Sequence, residues 1–302
     1  MRRGTGLKRV KDEGREDLRW GIEQRLEFID FRLFWEGRIN RSDLTDRFGI
    51  STPQASADLA RYQELAPTNL TYDSSLKCYL ATREFQSAFD VGDSDRYLAQ
   101  LHSIANRTIR PEEAWLAEPP DFRVVPAPGR SVDTRTLKAV LSAIRERQAI
   151  RIRYQSMSKP DPQWRWITPH ALGFDGFRWH ARAFCHNDET FKDFVFARIL
   201  DIRENKPHAI EVASDRAWSE SVTVVIAPHP GLSEGQRRGV ELDYGMQDGE
   251  RAIEVPKAFL YYFLKRLGLD GEPARKRPQD QHIVLANRKE VREAMGGAQA
   301  GE

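Results

Sequence analysis

The sequence predicts an α+β protein built from a winged helix-turn-helix, a small β-barrel and a compact α+β domain, in that order. Three patterns indicate this fold class. Apolar residues at helical spacing, a tight turn and a short hairpin occupy residues 18–90. Short strand-like segments follow one another between residues 150 and 198, and strands alternate with helices after residue 207. With 302 residues, the chain is long enough for two or three domains, each with its own core.

The N-terminal part is typical of three helices followed by a hairpin. Apolar spacing predicts the first helix over residues 18–35. Ser42 is a suitable N-cap for a short second helix over residues 43–48. A tight turn leads to Thr52-Pro53, which we interpret as the N-cap and first residue of a third helix ending near residue 65. Residues 70–73 and 77–80, joined by a Ser74-Ser75 turn, are typical of a small hairpin. Three helices followed by a hairpin predict a winged helix-turn-helix.

The second half of the chain contains an amphipathic helix over residues 134–148, short strands, and then alternating strands and helices. The predicted barrel strands cover residues 150–156, 165–172, 177–183 and 194–198. The predicted C-terminal elements are strand 221–226, helix 233–244, strand 252–255, helix 256–267 and strand 282–286.

Composition shifts and proline-rich breakers divide the chain into five segments. We expect a flexible arm (1–17), the winged helix-turn-helix (18–90), a helical connector (91–130), the barrel domain (131–206) and the C-terminal domain (207–302).

Charge and cysteine content narrow the class of protein. The net charge is only +2, but residues 131–182 carry ten Lys or Arg against four Asp or Glu, whereas residues 1–90 carry fifteen of each. Cys78 and Cys185 provide no disulfide framework. No run approaches the roughly 18 apolar residues of a membrane span, and no secretory signal follows the basic start. We therefore expect a soluble cytoplasmic protein with no membrane partner.

The third helix is the candidate recognition helix. In a helix-turn-helix, the N-terminal part of the second motif helix meets base edges, and flanking basic residues meet phosphates. The predicted DNA-facing residues are Thr52, Gln54, Ala55, Ser56, Asp58 and Arg61 on this helix, with Arg38, Arg41 and Lys77 as flanking phosphate contacts. The alternative is a winged helix that packs or docks against protein, which the balanced charge of residues 1–90 favours.

Residues 177–184 read Phe-Arg-Trp-His-Ala-Arg-Ala-Phe. In a strand, alternate side chains point to opposite faces, so Phe177, Trp179, Ala181 and Ala183 should share a core face. Arg178, His180 and Arg182 should then form a row of hydrogen-bond donors on the other face. Such a row suits an anionic ligand.

The same alternation in the other strands extends this row into a candidate pocket. If the faces converge, its lining comprises Tyr154, Ser156, His170, Arg178, His180, Arg182 and Arg198. Guanidinium, imidazole and aromatic groups together fit a nucleotide or a short oligonucleotide. The alternative is a solvated basic face whose arginines pair with Asp175, Asp193 and Asp201.

A resemblance covers nearly the whole chain and rests on five motifs. They are Ile-Ser-Thr-Pro-Gln-Ala-Ser (50–56), Tyr-Gln-Ser (154–156), Pro-His-Ala-Leu (169–172), Asp-Gly-Phe-Arg-Trp-His-Ala-Arg-Ala (175–183) and Phe-Ala-Arg-Ile (196–199). With these motifs, residues 18–302 resemble the bacterial WYL-domain transcriptional regulators, most closely the repressors encoded beside BREX- and CBASS-type anti-phage operons.

The resemblance implies a winged helix-turn-helix, an Sm-like WYL barrel that senses a nucleic-acid-derived effector, and a C-terminal dimerisation domain. It implies that the seven pocket residues above line the ligand site. The sequence departs from the family in the tripeptide Trp-Tyr-Leu, from which the family takes its name. Trp179 is present, but His180 and Ala181 replace the Tyr and Leu. The identity of the ligand therefore does not transfer directly from relatives that keep the tyrosine.

Enzyme classes find little support in the motifs. No GxxxxGK[ST], GxSxG, HExxH or GxGxxG pattern occurs, and no histidine or cysteine cluster has metal-ligand spacing. We therefore expect no catalytic residue, metal or cofactor. A nuclease and an RNA- or single-strand-binding protein that uses the barrel remain as alternatives. The expected function is a homodimeric repressor that binds an inverted-repeat operator in double-stranded DNA and responds to a nucleotide or oligonucleotide effector.

Overall fold

The computed structural model describes residues 20–126, 128, 130–208, 210–271 and 276–296. The expected flexible arm, residues 1–17, lies outside these ranges. The chain forms two compact units, Met1–Pro126 and Ala127–Glu302, whose boundary falls within the expected connector. The first unit has one hydrophobic core, and the second has two, under the barrel sheet and under the C-terminal sheet.

The first unit is a winged helix-turn-helix followed by one further helix. Its elements are α1 (Trp20–Glu36), β1 (Arg38–Ile39), α2 (Arg41–Phe48), α3 (Thr52–Leu65), β2 (Leu70–Asp73), β3 (Cys78–Ala81) and α4 (Ser94–Ala105). The wing is an antiparallel sheet in the order β1-β3-β2, so it contains a strand that the sequence pattern did not predict. Two residues are too few for an alternating pattern, but Arg38 and Ile39 pair with Leu80 and Tyr79 of the wing.

Local caps set the ends of the motif helices. Asn40 caps α2: it accepts from the amide of Asp43, whose carboxylate accepts from the amide of Asn40 in return. The predicted cap at Ser42 is therefore wrong, because this residue lies in the first turn. Ser51, rather than Thr52, caps α3. Between the helices, Gly49 takes φ 62°, a left-handed conformation that ends α2.

A buried carboxylate fastens the first unit. Asp30 of α1 is fully buried and accepts hydrogen bonds from the Tyr62 hydroxyl at 2.5 Å and the Ser87 hydroxyl at 2.6 Å. The backbone amides of Ala88 and Phe89 donate to it at 3.1 and 3.0 Å. Burial and the neighbouring Asp30 raise the pKa of Tyr62. One side chain of α1 thus holds both α3 and the segment that follows the wing.

The second unit begins with a barrel-like domain. It contains α5 (Thr134–Glu146), β4 (Gln148–Tyr154), β5 (Gln163–Phe174), β6 (Trp179–Cys185), β7 (Thr190–Val195) and β8 (Ile199–Pro207). The strands form one antiparallel sheet in the order β7-β6-β5-β4-β8. The long strand β5 pairs with β4 through its first half and with β6 mainly through its second half. The pairing with β6 has a register irregularity between Pro169 and Ala171, and irregularities of this kind allow a strand to bend.

Two barrel segments differ from the prediction. The predicted strand 194–198 ends at Val195, and residues 196–198 form a 3₁₀ turn that leads into β8. The strand predicted to begin at Phe177 begins at Trp179, because Phe177 belongs to the β5–β6 turn. Gly176 supplies φ 94° in this turn, which an L side chain rarely adopts.

The C-terminal domain completes the second unit and agrees with the predicted alternation of strands and helices. Its elements are α6 (Arg216–Ser219), β9 (Ser221–Pro228), α7 (Glu234–Asp243), β10 (Arg251–Pro256), α8 (Leu260–Arg266), β11 (Ile283–Leu285) and α9 (Arg288–Gly296). The strands form an antiparallel sheet in the order β10-β9-β11. The Phe259 ring packs so closely on β5 that a Cβ atom on Gly173 would lie 2.7 Å from it. In the described part of the chain, no helix has the length and apolar character that crossing a membrane demands.

Candidate functional site

The exposed side of α3 carries most of the predicted base-facing residues. Thr52, Gln54 and Arg61 are exposed and Ser56 is partly exposed. Ala57, which the sequence pattern did not single out, is also exposed on this helix. These side chains are therefore available to a DNA groove.

Two of the predicted contacts lie inside the protein instead. Ala55 is fully buried in the core of the first unit, so its assignment as a DNA contact is corrected to a packing role. Asp58 is 2% exposed and forms an ion pair with Arg25 at 2.6 Å. It also accepts from the Gln54 amide at 3.1 Å, which limits the rotamers of Gln54. Residues one turn apart on a recognition helix face the same way, and here that direction is inward for positions 55 and 58.

Arg41 joins three parts of the winged helix. Its guanidinium donates to the Ser56 hydroxyl at 2.9 Å and to the Tyr79 hydroxyl at 3.3 Å. It also lies 5.8 Å from the ring centres of both Tyr72 and Tyr79 on the wing. Arg41 is thus held between α2, α3 and the wing. The two tyrosines were missed because the hairpin pattern does not show which strand face meets the helices.

The other two predicted phosphate contacts lie at the edge of the winged helix. Arg38 is exposed and pairs with Glu118. Lys77 is exposed in the wing turn, where it takes φ 54°. Asp73 orders this turn by accepting from the amides of Ser75 and Leu76. Both cations are accessible to solvent, as a phosphate contact requires.

In the barrel, the alternation predicted for residues 177–184 is partly confirmed. Ala181 and Ala183 are fully buried in the barrel core, as expected. Phe177 and Trp179, predicted to share this face, are 56% and 49% exposed because they lie at the open end of the sheet. His180 belongs to the opposite face and is 1% exposed, so that face is covered and is not a solvated surface.

The first covered cluster surrounds Asp175 in the β5–β6 turn. Its carboxylate accepts from His180 Nε2 at 2.9 Å and from Arg178 Nε at 2.9 Å. The backbone amides of Phe177 and Arg178 donate to it at 2.7 and 2.6 Å. Burial raises the pKa of Asp175, but these hydrogen bonds outweigh it and hold the pKa at about 2. The turn therefore contains a carboxylate that is ionised at neutral pH and orients both His180 and Arg178.

The second covered cluster surrounds Arg182. Its Nε and Nη2 atoms donate to the two carboxylate oxygens of Asp215, each at 2.8 Å, and its Nη1 donates to Asp193 at 3.2 Å. His170 donates to the same Asp215 at 3.0 Å. Burial lowers the pKa of Arg182, and the two carboxylates more than compensate, so it is raised. The Tyr262 hydroxyl lies 3.5 Å from Asp193. Burial raises the pKa of Tyr262, and the negative charge of Asp193 raises it further.

The predicted seven-residue pocket is therefore split into separate environments. The Tyr154 ring packs in the barrel core beside Phe194, and its hydroxyl accepts from the amide of Val195 at 3.2 Å. Ser156 is buried after β4, where its hydroxyl bonds with the hydroxyl of Ser158 at 3.0 Å and its carbonyl accepts from the Gln155 side chain at 2.8 Å. The faces do not converge as expected, because Tyr154 lies on the core side of the sheet whereas His180 and Arg182 lie on the other.

An open cavity remains at the rim of the barrel. It measures about 240 Å³ and brings Arg178 and Arg198 together with Arg130 and the exposed Trp179. Val132, Val195 and Ala197 complete its lining. Arg178 shares Asp175, but no described carboxylate pairs with Arg130 or Arg198. The cavity therefore combines an aromatic surface with two guanidiniums, those of Arg130 and Arg198, that have no described ion-pair partner and suit an anion.

A second aromatic and basic surface lies on the outer face of β4, β5 and β8; we call it the outer face. Its members are Arg151, Arg153, Trp164, Trp166, Arg203 and Lys206, with Asp201 and Glu204 beside them. The guanidinium carbons of Arg151 and Arg203 lie 5.3 and 4.9 Å from the Trp164 ring centre. Lys206 Nζ lies 4.4 Å from the ring centre of Trp166. The alternation Trp-Arg-Trp over residues 164–166 was the available sequence signal.

Metal binding has no support in the described part of the chain, where no three His, Cys, Asp or Glu side chains come together in a metal-binding arrangement.

Comparisons with known proteins agree with this architecture. Residues 21–103 match the model of the BrxR transcriptional regulator winged helix-turn-helix domain, residues 135–204 the WYL domain, and residues 221–291 the BrxR transcriptional regulator C-terminal dimerization domain. These matches confirm the expected fold class and resemblance.

Similar curated proteins are named DNA-binding transcriptional repressor CapW. The relative from Stenotrophomonas maltophilia is 45% identical over 290 residues, covering 95% of this chain and 96% of its own. The relatives from Escherichia coli and Pseudomonas aeruginosa are each 41% identical over 289 and 281 residues, covering 95% and 93% of this chain and 96% and 94% of their own. The chain therefore belongs to the BrxR/CapW family of WYL-domain DNA-binding transcriptional regulators.

Proposed function

We propose that the chain is a homodimeric repressor of a phage-defence operon, which binds an inverted repeat and is released when its WYL domain takes up an anionic effector. The DNA-binding part of this proposal rests on the exposed face of α3 and on Arg41, which lies beside it. Gln54 can pair with adenine, Ser56 can bond to several base edges, and Arg61 and Lys77 can reach phosphates. The family name of the C-terminal domain supports a dimer, and a two-fold dimer reads two half-sites separated by whole helical turns.

A gel-shift with the intergenic DNA upstream of the gene tests this half. We expect a salt-sensitive complex, because neutralised phosphates release counterions. Gln54→Ala should relax sequence specificity, whereas Lys77→Ala should weaken binding evenly across sequences. Arg237→Ala, at an exposed guanidinium on α7, is the control and should leave the complex unchanged. If no upstream fragment binds, the repressor proposal is wrong.

For the sensing half, we propose the rim cavity as the entry point of a nucleotide or short oligonucleotide. The supporting observation is the pairing of Trp179, on which a base can stack, with Arg130 and Arg198. Arg178 adds a third guanidinium to the same opening, and its Nε donates to Asp175. Because Arg182 is already engaged by two carboxylates, the accessible arginines are the ones to test first.

Titration with nucleoside monophosphates and a short oligothymidylate, followed by calorimetry, tests the sensing half. Arg198→Ala should abolish binding and leave the operator complex intact. Arg216→Ala, whose side chain is 83% exposed and lies outside the cavity, should bind like the wild type. A ligand that binds equally well to the Arg198→Ala variant would rule out the cavity as its site.

The outer face favours a second candidate function, the binding of single-stranded nucleic acid by the barrel. Trp164 and Trp166 offer rings to successive bases, and four cations stand against two carboxylates. Arg153 is exposed, lies opposite Trp164 in the β4–β5 register, and has no ion-pair partner among the described residues. This combination is typical of proteins that stack bases without reading sequence.

Fluorescence anisotropy with labelled single strands separates the two candidates. Under this second function, Trp164→Leu weakens single-strand binding by roughly 1–3 kcal/mol, the value of one base–aromatic stack. Arg153→Ala weakens it too, whereas Arg237→Ala does not. Binding that depends on Arg198 and not on Trp164 would assign the strand to the rim cavity.

A further inference from the structure

Asp215 occupies an unusual place in the chain. It lies between the last barrel strand and the first strand of the C-terminal sheet, immediately before α6. It is 1% exposed, although this connection belongs to neither sheet. Its side chain points back to the barrel and accepts hydrogen bonds from both Arg182 and His170. The barrel therefore holds the start of the C-terminal domain through one carboxylate.

The same carboxylate also shapes the segment that it belongs to. Asp215 caps α6, because Oδ1 accepts from the amide of Trp218 at 3.2 Å. Trp218 in turn meets the His170 ring edge-on, with ring centres 5.8 Å apart, and contacts Phe259 at 5.6 Å. Loss of the barrel contact would thus loosen both the cap and the packing of Trp218 between the barrel and the segment before α8.

The guanidinium of this cluster is already paired with two carboxylates of the protein itself. Three nitrogen atoms of Arg182 donate hydrogen bonds to Asp215 and Asp193, and both carboxylates lie within 3.2 Å of the guanidinium. A further anion cannot join them without placing three negative groups around one guanidinium in a buried site, which is costly. An anion can reach Arg182 only by replacing a carboxylate. Asp193 belongs to β7, within the barrel sheet, whereas Asp215 is carried by the connection.

The cluster also has unused hydrogen-bonding capacity. Nδ1 of His170 is buried and has no partner among the described residues, although Nε2 of the same ring is bound to Asp215. An incoming group with both donor and acceptor atoms can therefore make bonds here that the Asp215 carboxylate does not make.

We propose that Asp215 is a built-in anionic ligand of the WYL barrel, and that a carboxylate or phosphate group of the effector displaces it and so frees the connection to the C-terminal domain. The proposal rests on the proposed ligand-responsive function and names the contact that the effector must break. Asp215 acts as a positioning residue: it holds the dimerisation domain against the barrel in the effector-free form. Because the effector competes with it, occupancy of the barrel and attachment of the connection exclude each other.

Chemical rescue of the full chain tests this proposal. Asp215→Ala removes the carboxylate and leaves room for formate beside Arg182. Formate should raise the melting temperature of this variant more than that of the wild type, at equal ionic strength, and Arg182→Gln in the same chain should abolish the gain. If formate does not stabilise Asp215→Ala, the carboxylate is not acting as a ligand of the barrel and the proposal is wrong.

Operator affinity supplies the second readout. Asp215→Ala should bind the upstream DNA roughly 5- to 150-fold more weakly, the usual range of coupling between sites. Formate should not restore this affinity, because a free anion fills the site without holding the connection. Full restoration by formate, or an unchanged affinity, would overturn the coupling.

Two variants control for folding. Asp215→Asn keeps the shape and the helix cap but loses the charge, so it should fold and still weaken operator binding. Asp161→Asn, at an exposed aspartate between β4 and β5, is the matched control and should change operator affinity less than twofold. A wild-type protein that binds no upstream DNA would refute the repressor function alone, because the formate result is independent of DNA.

Discussion

Lowering the pH should weaken the barrel through Asp175, and the size of this effect follows from its surroundings. The side chain is 3% exposed and accepts four hydrogen bonds, from the His180 ring, the Arg178 side chain and two backbone amides. Its pKa falls from 3.8 to about 2, because these bonds outweigh the effect of burial. The difference of about 1.8 pH units, at about 1.4 kcal/mol per unit, corresponds to roughly 2.5 kcal/mol of stability at neutral pH.

The sign follows from proton binding. The folded protein holds the carboxyl group in its ionised form at pH values where the unfolded chain is already protonated, so acid favours unfolding. The contribution of Asp175 is complete above about pH 5 and disappears as the pH falls through about 2. At pH 3, roughly 1 kcal/mol of it should be lost.

Urea unfolding at pH 7 and pH 3, followed by tryptophan fluorescence, measures this loss. Asp175→Asn can still accept from the backbone amides but cannot titrate. The wild type should therefore lose roughly 1 kcal/mol more than this variant between the two pH values. Asp161→Asn, at an exposed aspartate, is the control and should behave as the wild type does. An equal loss in the wild type and Asp175→Asn would refute the assignment of the low pKa to this carboxylate.

Three further changes test the packing and the recognition helix. Gly173→Ala should destabilise the second unit by about 1–3 kcal/mol in thermal unfolding, because its Cβ would lie 2.7 Å from the Phe259 ring, whereas Gly235→Ala, with open space around it, should be neutral or stabilising. Asp30→Ala should cost at least about 3 kcal/mol in urea unfolding, since it removes the acceptor of two buried and two partly buried donors; a smaller cost would show that these donors find other partners. Gln54→Ala should change stability by less than about 0.5 kcal/mol while altering operator preference in a competition gel-shift, and an unchanged preference would remove Gln54 from the base contacts.

The sequence was most informative where structure is decided locally. The helix-turn-helix was predictable because caps, the left-handed Gly49 and the spacing of apolar residues are local signals. Even here the predicted N-caps, Ser42 and Thr52, were wrong. The helices are capped by Asn40 and Ser51 instead, because several neighbouring polar residues are suitable N-caps. Ala55 shows the limit on one helix: its position is consistent with both a groove contact and the core, and only packing decides between them.

The barrel site could be predicted only in part, because its partners come from distant parts of the chain. Alternation placed His180 and Arg182 on one face correctly, but it could not show that Asp215 covers this face. The alternative was a solvated basic face, and two of its three acidic partners, Asp175 and Asp193, do pair with Arg178 and Arg182. The face itself is not solvated, because His180 and Arg182 are buried. The third, Asp201, pairs with Arg203 instead, so that suggestion was wrong.

The buried carboxylates also restrict what an effector can be. A ligand shifts the protein between two arrangements only if it binds them with different affinity. A neutral base stacked on Trp179 makes the same contact whether or not the connection is attached, so it should occupy the rim cavity without effect on DNA. An anionic group differs, because it competes with Asp175 for Arg178, or with Asp215 for Arg182. We therefore expect a nucleoside that fills the cavity to leave the operator complex intact and its 5′-phosphate to dissociate it. Equal release by the two at equal occupancy, measured by gel-shift, would show that the signal does not pass through these ion pairs.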